Sequence, residues 1–207
     1  MSQEQSLSKL NVDIKIALDI GSYHGEFTRL LKSIWPHIKV FQFEANNNLK
    51  SINPDATYCC LSDIPNKIVT YYLPQADKVH KTGASYYLEL TDYFENPIIN
   101  LKATTTIDVL SSSINFDGPW DTNGLVKLDT QGSEVDIIKG ASRFIKKYNP
   151  LLFLIECSFI PYNKNAPLAS DVIEFMNNIG YKCVDIIDPN RQNNELLQAD
   201  LLFKRWY

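Results

Sequence analysis

What this sequence has little of narrows its function early. It has no surplus of positive charge: 20 Lys and Arg stand against 24 Asp and Glu, a net charge of −4 over 207 residues. That balance offers no general attraction to a phosphate backbone, so nucleic acid is not the expected partner. Long apolar runs are missing too. The longest, LLFLIE from Leu151, is cut by Glu156 and falls far short of the ~20 residues that a membrane-spanning helix needs. The opening MSQEQSLSKL has no apolar core, so no secretory leader is expected there and a cytoplasmic location is. The four cysteines (Cys59, Cys60, Cys157 and Cys183) lie in strand-like apolar segments without metal-ligand spacing. They are expected as buried thiols of a reducing compartment. No repeat, low-complexity tract or linker divides the chain.

What is present is an ordinary globular composition, 44% hydrophobic and 21% charged, long enough for one domain with a full core. Residues 1–13 read as a polar extension and 14–207 as a single domain. Short β-branched runs alternate with helical periodicity. IKIALDI (14–20) is a strand; GEFTRLLKSIWP follows as a helix with Phe27, Leu30, Leu31 and Ile34 on one face, stopped by Pro36. IKVFQFE (38–44) and ATYCCLS (56–62) are the next strands, and KIVTYYLP (67–74) an extra one pairing nearby. GLVKLDT (124–130) is a strand, and SEVDIIKGASRFIKKY a helix opened by Ser133 and Asp136 at capping-box spacing. PLLFLIECS has the continuous apolar character of a parallel strand covered on both faces. Ala169 to Ile179 is helical with Gly180 ending it, and YKCVDIID (181–188) and ADLLFKR (199–205) close the chain. The alternation predicts a doubly wound, mostly parallel sheet with an antiparallel C-terminal edge hairpin. Loops near 75–100, 111–123 and 160–168 are expected over or beside the ligand edge.

Folds of this class bind ligands at the carboxyl ends of the strands, which directs attention to ALDIGSYHGEF, Ala17 to Phe27. A dinucleotide site wants G-x-G-x-x-G, so that backbone can approach a pyrophosphate. Here the run is Asp19-Ile20-Gly21-Ser22-Tyr23-His24-Gly25. Tyr23 obstructs that approach, and an acid directly before the first glycine repels phosphate. Asp19 suits a positively charged ligand, and S-adenosyl-L-methionine, with an ammonium, a sulfonium and no phosphate, fits. Glu44 ends the second strand, where an acid accepts hydrogen bonds from ribose hydroxyls. Asp63, after Ser62 at the end of the third strand, is placed to meet an adenine amino group; a plain turn residue is its other reading.

LVKLDTQGSEVDIIKG (125–140) closely resembles the signature of FkbM-type S-adenosylmethionine-dependent methyltransferases. The resemblance runs from LDIGSYHGEF through FQFEAN, LSD, TTTIDVL and FLIECS to DLLFKR, nearly the whole chain after residue 13. Tyr23 stands where members often carry asparagine, and Ala45 where they often carry proline. The resemblance implies a class I methyltransferase fold, Rossmann-like, with Asp19, Gly21 and Gly25 around the methionine part, together with Ser22 and Tyr23 of the same turn. It puts Glu44, with Ala45, on the ribose and Asp63 on the adenine side.

Methyl transfer needs an aligned acceptor and exclusion of water, and an alcohol acceptor also gains from a base. Lys127 and Asp129 alternate inward along the fourth strand; Asp129 is the first candidate for base or acceptor anchor, with a structural Lys127–Asp129 ion pair as the alternative. Gln131 reads as a positioning group, Gly132 as a turn residue and Glu134 as a helix-end acid. Glu156 is the second catalytic candidate, since a carboxylate in so apolar a run needs a partner or a raised pKa. Asp129 and Glu156 together make a thin ligand set for magnesium, and no metal is expected. His24 is a further catalytic candidate or a solvated, helix-capping residue; His37 and His80 have no supporting context.

The loops are rich in aromatic and polar groups, as sugar sites are. Trp120, Tyr86, Tyr87 and Tyr162 form a candidate platform for a glycan or small-molecule acceptor, or else pack the loops onto the domain. The resemblance implies O-methylation, and a sugar hydroxyl is the expected acceptor. A silent cofactor-binding module and a dinucleotide oxidoreductase are the readings from other classes.

Overall fold

The computed structural model describes residues 3–75 and 83–206. Along the chain come α1 (Gln3–Leu7), β1 (Ile16–Ile20), α2 (Glu26–Ile34), β2 (Lys39–Glu44), β3 (Thr57–Tyr58), β4 (Cys60–Leu61), β5 (Ile68–Leu73) and β6 (Ile98–Thr105). Then follow α3 (Ile107–Leu110), α4 (Trp120–Asn123), β7 (Gly124–Leu128), α5 (Glu134–Lys139), α6 (Ser142–Tyr148) and β8 (Leu152–Ser158). The chain closes with α7 (Ala169–Asn178), β9 (Tyr181–Gln192) and β10 (Glu195–Arg205).

Period-2 alternation in fully covered strands sorts the core into two layers. Ile16, Leu18 and Ile20 of β1 join Val126, Leu128, Phe144 and Phe153 on one face; Ala17 joins Phe27 and Leu31 of α2, Leu125 and Leu154 on the other. The strands form a seven-stranded sheet in the order β3-β2-β1-β7-β8-β10-β9. It is parallel from β3 through β8, and β10 runs antiparallel to both β8 and β9. The winding reverses between β1 and β7, which opens a crevice at their carboxyl ends. The doubly wound sheet with its terminal hairpin is the one expected. Among the described residues no helix is long and apolar enough to cross a membrane.

Several elements differ from expectation. The third strand splits at Cys59. Thr57–Tyr58 extends the main sheet, while Cys60–Leu61 pairs with β6 in a separate sheet ordered β4-β6-β5. β6 falls in a stretch read partly as loop, because its apolar Ile98, Ile99 and Leu101 are exposed and give no core-facing alternation. The expected long helix after β7 breaks at Gly140, where a Cβ would stand 2.1 Å from the Ser62 carbonyl oxygen. The capping box is not formed: Ser133 makes no side-chain cap bond, and its Oγ donates to the Thr130 carbonyl at 3.3 Å. The C-terminal strands reach further than expected, to a two-residue turn at Asn193–Asn194 with φ of 50° and 68°, the left-handed pair of a type I′ hairpin.

Two corrections bear on the site. The N-terminal stretch is not merely a polar extension, since α1 docks Leu7, 0% exposed, into the core. Segment 111–123 is not a loop at the ligand edge: it leads into β7 from the amino ends of the strands. Trp120 there is fully buried, with Nε1 donating to the Phe116 carbonyl at 2.6 Å and its ring edge-on to Phe144.

Candidate active site

A cavity of about 580 Å³ opens at the carboxyl ends of β1, β2, β7 and β8. Its first wall is the turn after β1. Gly21 has φ of 78°, and a Cβ there would lie 1.9 Å from the Asp129 carbonyl oxygen, so only glycine lets the two strand ends meet this closely. The Gly21 and Ser22 amides both donate to the Phe43 carbonyl at 3.0 Å, fastening the turn to β2. Tyr23 follows with φ of 46° and stacks on His24 at 3.7 Å between centroids. Asn53, unmarked by any local sequence pattern, donates from Nδ2 to Ser22 Oγ, the Tyr23 carbonyl and Gln42 Oε1 at 3.1–3.2 Å.

Glu44 ends β2 inside the cavity wall. Its Oε2 accepts from the Tyr23 amide at 2.9 Å and its Oε1 from the Asn46 amide at 2.7 Å. Each oxygen keeps a second lone pair. Burial raises its pKa, and the Asn46, Tyr23 and Ala45 amides oppose the rise. Ala45, Leu49, Leu61 and Ile137 continue the wall as an apolar surface. Cys59 and Cys60 also border it, and burial pushes their thiols up to about 12 and about 11.

The end of β7 supplies the polar floor. Lys127 is 4% exposed and lies 2.9 Å from Asp129 Oδ2, with Nζ over the Phe27 ring. Burial lowers the lysine pKa, but the neighbouring charges of Asp129 and Asp19 outweigh it and hold the group above its ordinary value. Burial also acts to raise Asp129, and Lys127 with the surrounding hydrogen bonds brings it below the ordinary carboxylate value. Gln131, with φ of 57°, donates from Nε2 to Asp129 Oδ1 at 3.0 Å and to Glu156 Oε2. Glu134 does more than end a helix: its carboxylate accepts from the Thr130 amide and hydroxyl and from the Gly132 amide, tying the turn that carries Gln131. Burial, then the charges of Asp129 and Asp200, push Glu156 well above the carboxylate range.

The remaining wall comes from 83–94 and 160–163. Tyr71, Tyr86, Phe94 and Tyr162 border the cavity with Glu89, which is 6% exposed. Asp136 accepts the hydroxyls of Tyr86 and Tyr87 at 3.1 and 2.9 Å, pinning this segment to α5.

The structure thus brings Gly21, Ser22, Tyr23, Glu44, Ala45, Lys127, Asp129, Gln131 and Glu156 to one cavity. It does not bring all the candidates there. Asp19 lies beneath the glycine turn, 0% exposed, with Oδ2 accepting from Thr28 Oγ1 and Oδ1 without a partner. Gly25 caps α2 behind the wall. His24 faces Tyr23 and not the cavity. Ser62 and Asp63 bond to each other, and Ser62 to Tyr86, away from the wall. Tyr87 turns to Asp136 and Trp120 is core, so of the four platform aromatics only Tyr86 and Tyr162 border the cavity. His80 lies outside the described residues. Among those residues no group of three or more His, Cys, Asp or Glu is arranged to hold a metal ion.

Comparison with known proteins now bears on this site. The family model of the Methyltransferase FkbM domain matches residues 19–183. Among solved structures, the magnesium protoporphyrin IX methyltransferase ChlM from Synechocystis PCC 6803 with bound SAM aligns with a TM-score of 0.50. That alignment has 10% identity and covers 98% of this chain and 78% of that one. The methyltransferase FkbM from Methylobacillus flagellatus KT aligns with a TM-score of 0.49 at 19% identity, over 93% of this chain and 44% of that one. The chain therefore spans less than half of that structure's length. No curated protein matches. The ChlM likeness is one of fold; the domain match, over the larger part of the sequence, shows the family. The chain belongs to the FkbM family of S-adenosylmethionine-dependent methyltransferases.

Proposed function

We propose that this protein methylates a sugar hydroxyl on a glycan or glycosylated small molecule, using S-adenosylmethionine. The observation that carries the reading is one continuous cavity in which Glu44 at one end and Asp129 at the other flank the glycine turn, with an aromatic wall beyond.

The donor set fits the cofactor. Glu44 has both oxygens fixed by backbone amides and a lone pair left on each, an acceptor pair for vicinal ribose hydroxyls. Ala45, Leu49, Leu61 and Ile137 give the apolar surface a purine needs. The described cavity residues include one cation, Lys127, and Asp129 already takes it, which suits a cationic cofactor better than a pyrophosphate. When bound, S-adenosylmethionine supplies a methyl group made electrophilic by its sulfonium. Gly21 and Ser22 would line its methionine part, and Asp129 its transfer end.

The chain's own part is orientation and proton handling. Asp129, held ionised by Lys127, accepts a hydrogen bond from the acceptor hydroxyl and takes its proton as the new bond forms. Gln131 fixes the Asp129 carboxylate, and Glu134 fixes Gln131's turn. Tyr86 and Tyr162 offer flat faces to a pyranose, and Glu89 a polar edge. Four free thiols accord with a reducing cytoplasm.

The test is a labelled-methyl transfer assay over sugars, nucleotide-sugars and small phenols, with and without EDTA. Turnover on a saccharide that survives EDTA is expected. Adenosyl-ligand binding with no turnover on any acceptor would make the protein a binding module, and preference for a phenol would overturn the sugar assignment.

A further inference from the structure

Three carboxyl groups stand level across three neighbouring strands. Leu128 pairs with Ile155, so Asp129, one step on, lies beside Glu156, and Glu156 pairs directly with Asp200 of β10. By alternation all three share the face of Leu154 and Leu202, the side covered by α2. Adjacent strands are ~4.8 Å apart. Asp200 is 6% exposed, and Asp129 and Glu156 are half-buried at the cavity wall. Two amides stitch the row: Gln131 joins Asp129 to Glu156, and Gln3, from α1, donates to Asp200 Oδ2.

Among the described residues the cation that acts on all three is Lys127 on β7, and it is bonded to Asp129. Among the described residues the other titratable groups that act on the row are acids, Asp19 on β1, Glu134 on α5 and Asp188 on β9, and the neighbouring Cys157 thiol is held protonated by burial. Carboxylates this close cannot all ionise, and the member flanked on both sides is the one that keeps a proton.

We propose that Asp129, Glu156 and Asp200 form a single proton-holding unit, in which Glu156 is the resting proton carrier and Asp200, set by Gln3, is a positioning residue for the transfer. The inference rests on the methyltransferase reading. The directions of the individual groups agree with it. Asp129 lies below its ordinary value and Glu156 well above, while burial brings Asp200 up to about 6. Methylation of a hydroxyl frees one proton per turnover, and the row accounts for it. The hydroxyl proton goes to Asp129, the proton of Glu156 moves to Asp200, that of Asp129 refills Glu156, and Asp200 releases one to water. Each carboxyl ends as it began.

The test uses the purified protein without acceptor. Infrared difference spectra between wild type and Glu156→Gln should show a protonated-carboxyl band at pH 7 that the variant lacks. In Asp200→Asn the pH at which that band disappears should fall by about one unit or more, the size expected for removing a neighbouring like charge. Gln3→Leu, which takes away the donor that favours ionised Asp200, should move it in the same direction. A spectrum at pH 7 unaltered by Glu156→Gln, or a midpoint unmoved in Asp200→Asn, overturns the proposal. If Glu156→Gln does not fold, the Asp200→Asn and Gln3→Leu midpoints decide alone. In turnover the acid limb of kcat against pH should shift in Asp200→Asn while S-adenosylhomocysteine affinity stays the same. Wild-type protein that transfers no methyl group would count against the proposed function, whereas an unmoved band counts against the row.

Discussion

Replacing Glu44 tests the cofactor end of the site most directly, because the carboxylate has two separable tasks. In the free protein it satisfies the Tyr23 and Asn46 amides, at 2.9 and 2.7 Å. In the proposed complex its remaining lone pairs meet the ribose. Glu44→Ala leaves two amides unpaired in a buried place, and each costs about 1–3 kcal/mol. Partial access of water at the cavity wall brings the expected loss of stability to about 2–4 kcal/mol. Glu44→Gln keeps one acceptor oxygen and turns an NH₂ group toward the other amide, so about half that loss is expected. The ligand term is separate: a hydrogen bond to a charged group contributes about 1.5–3 kcal/mol, which is roughly 10- to 150-fold in Kd. Urea unfolding reads the first effect, and calorimetric titration with S-adenosylhomocysteine on the folded variant reads the second. A Glu44→Gln protein that is folded and binds within twofold of wild type would place the ribose elsewhere and sink the assignment.

Three further outcomes are expected. Asp129→Asn keeps shape and removes charge, so turnover should drop by ~10²-fold while S-adenosylhomocysteine affinity changes little; a collapse of affinity would instead make Asp129 a cofactor ligand or a purely structural partner of Lys127. Gly21→Ala, with φ of 78° and a Cβ aimed at a backbone oxygen, should destabilise by at least about 2 kcal/mol in urea, and near-wild-type stability would contradict the turn geometry. Asp200 binds its proton more tightly folded than unfolded, so its contribution is present below its ordinary value of 3.8 and lost as pH rises through about 6. Asp200→Asn should flatten the fall in stability over that window, and identical pH–stability curves would refute the burial argument.

The strand–helix alternation and the terminal hairpin were legible because central strands covered on both faces keep continuous apolar runs, as PLLFLIECS does. β6 was not, since its apolar side chains face outward and hydrophobicity no longer marks an inner face. The break at Gly140 depends on a contact with Ser62 that no local pattern encodes. In the site, Glu44, Asp129, Gln131 and Glu156 could be read as polar residues closing apolar strands. The same logic reaches Asp200, a lone acid within ADLLF, and was the available signal for it. Gln3, Asn53 and Glu89 carry no such mark, because their partners come from distant parts of the chain. His24 and Trp120 show the converse: proximity in sequence to a motif or an aromatic loop says nothing of which way a ring turns.

The handover at Cys59 couples two parts of the molecule that a sheet diagram separates. Its amide still donates to the Glu44 carbonyl in the main sheet, while three residues on the Ser62 amide donates to the Thr105 carbonyl at the end of β6. The stretch that walls the Glu44 end of the cavity is thus shared property of both sheets. A ligand that holds this stretch still lowers the local opening of β5 and β6 by the same free energy with which their order favours the ligand. Slower amide hydrogen exchange along Ile68–Leu73 on adding S-adenosylhomocysteine would be the visible form of that linkage. It would also make the outer strands a place where substitutions tune cofactor residence time.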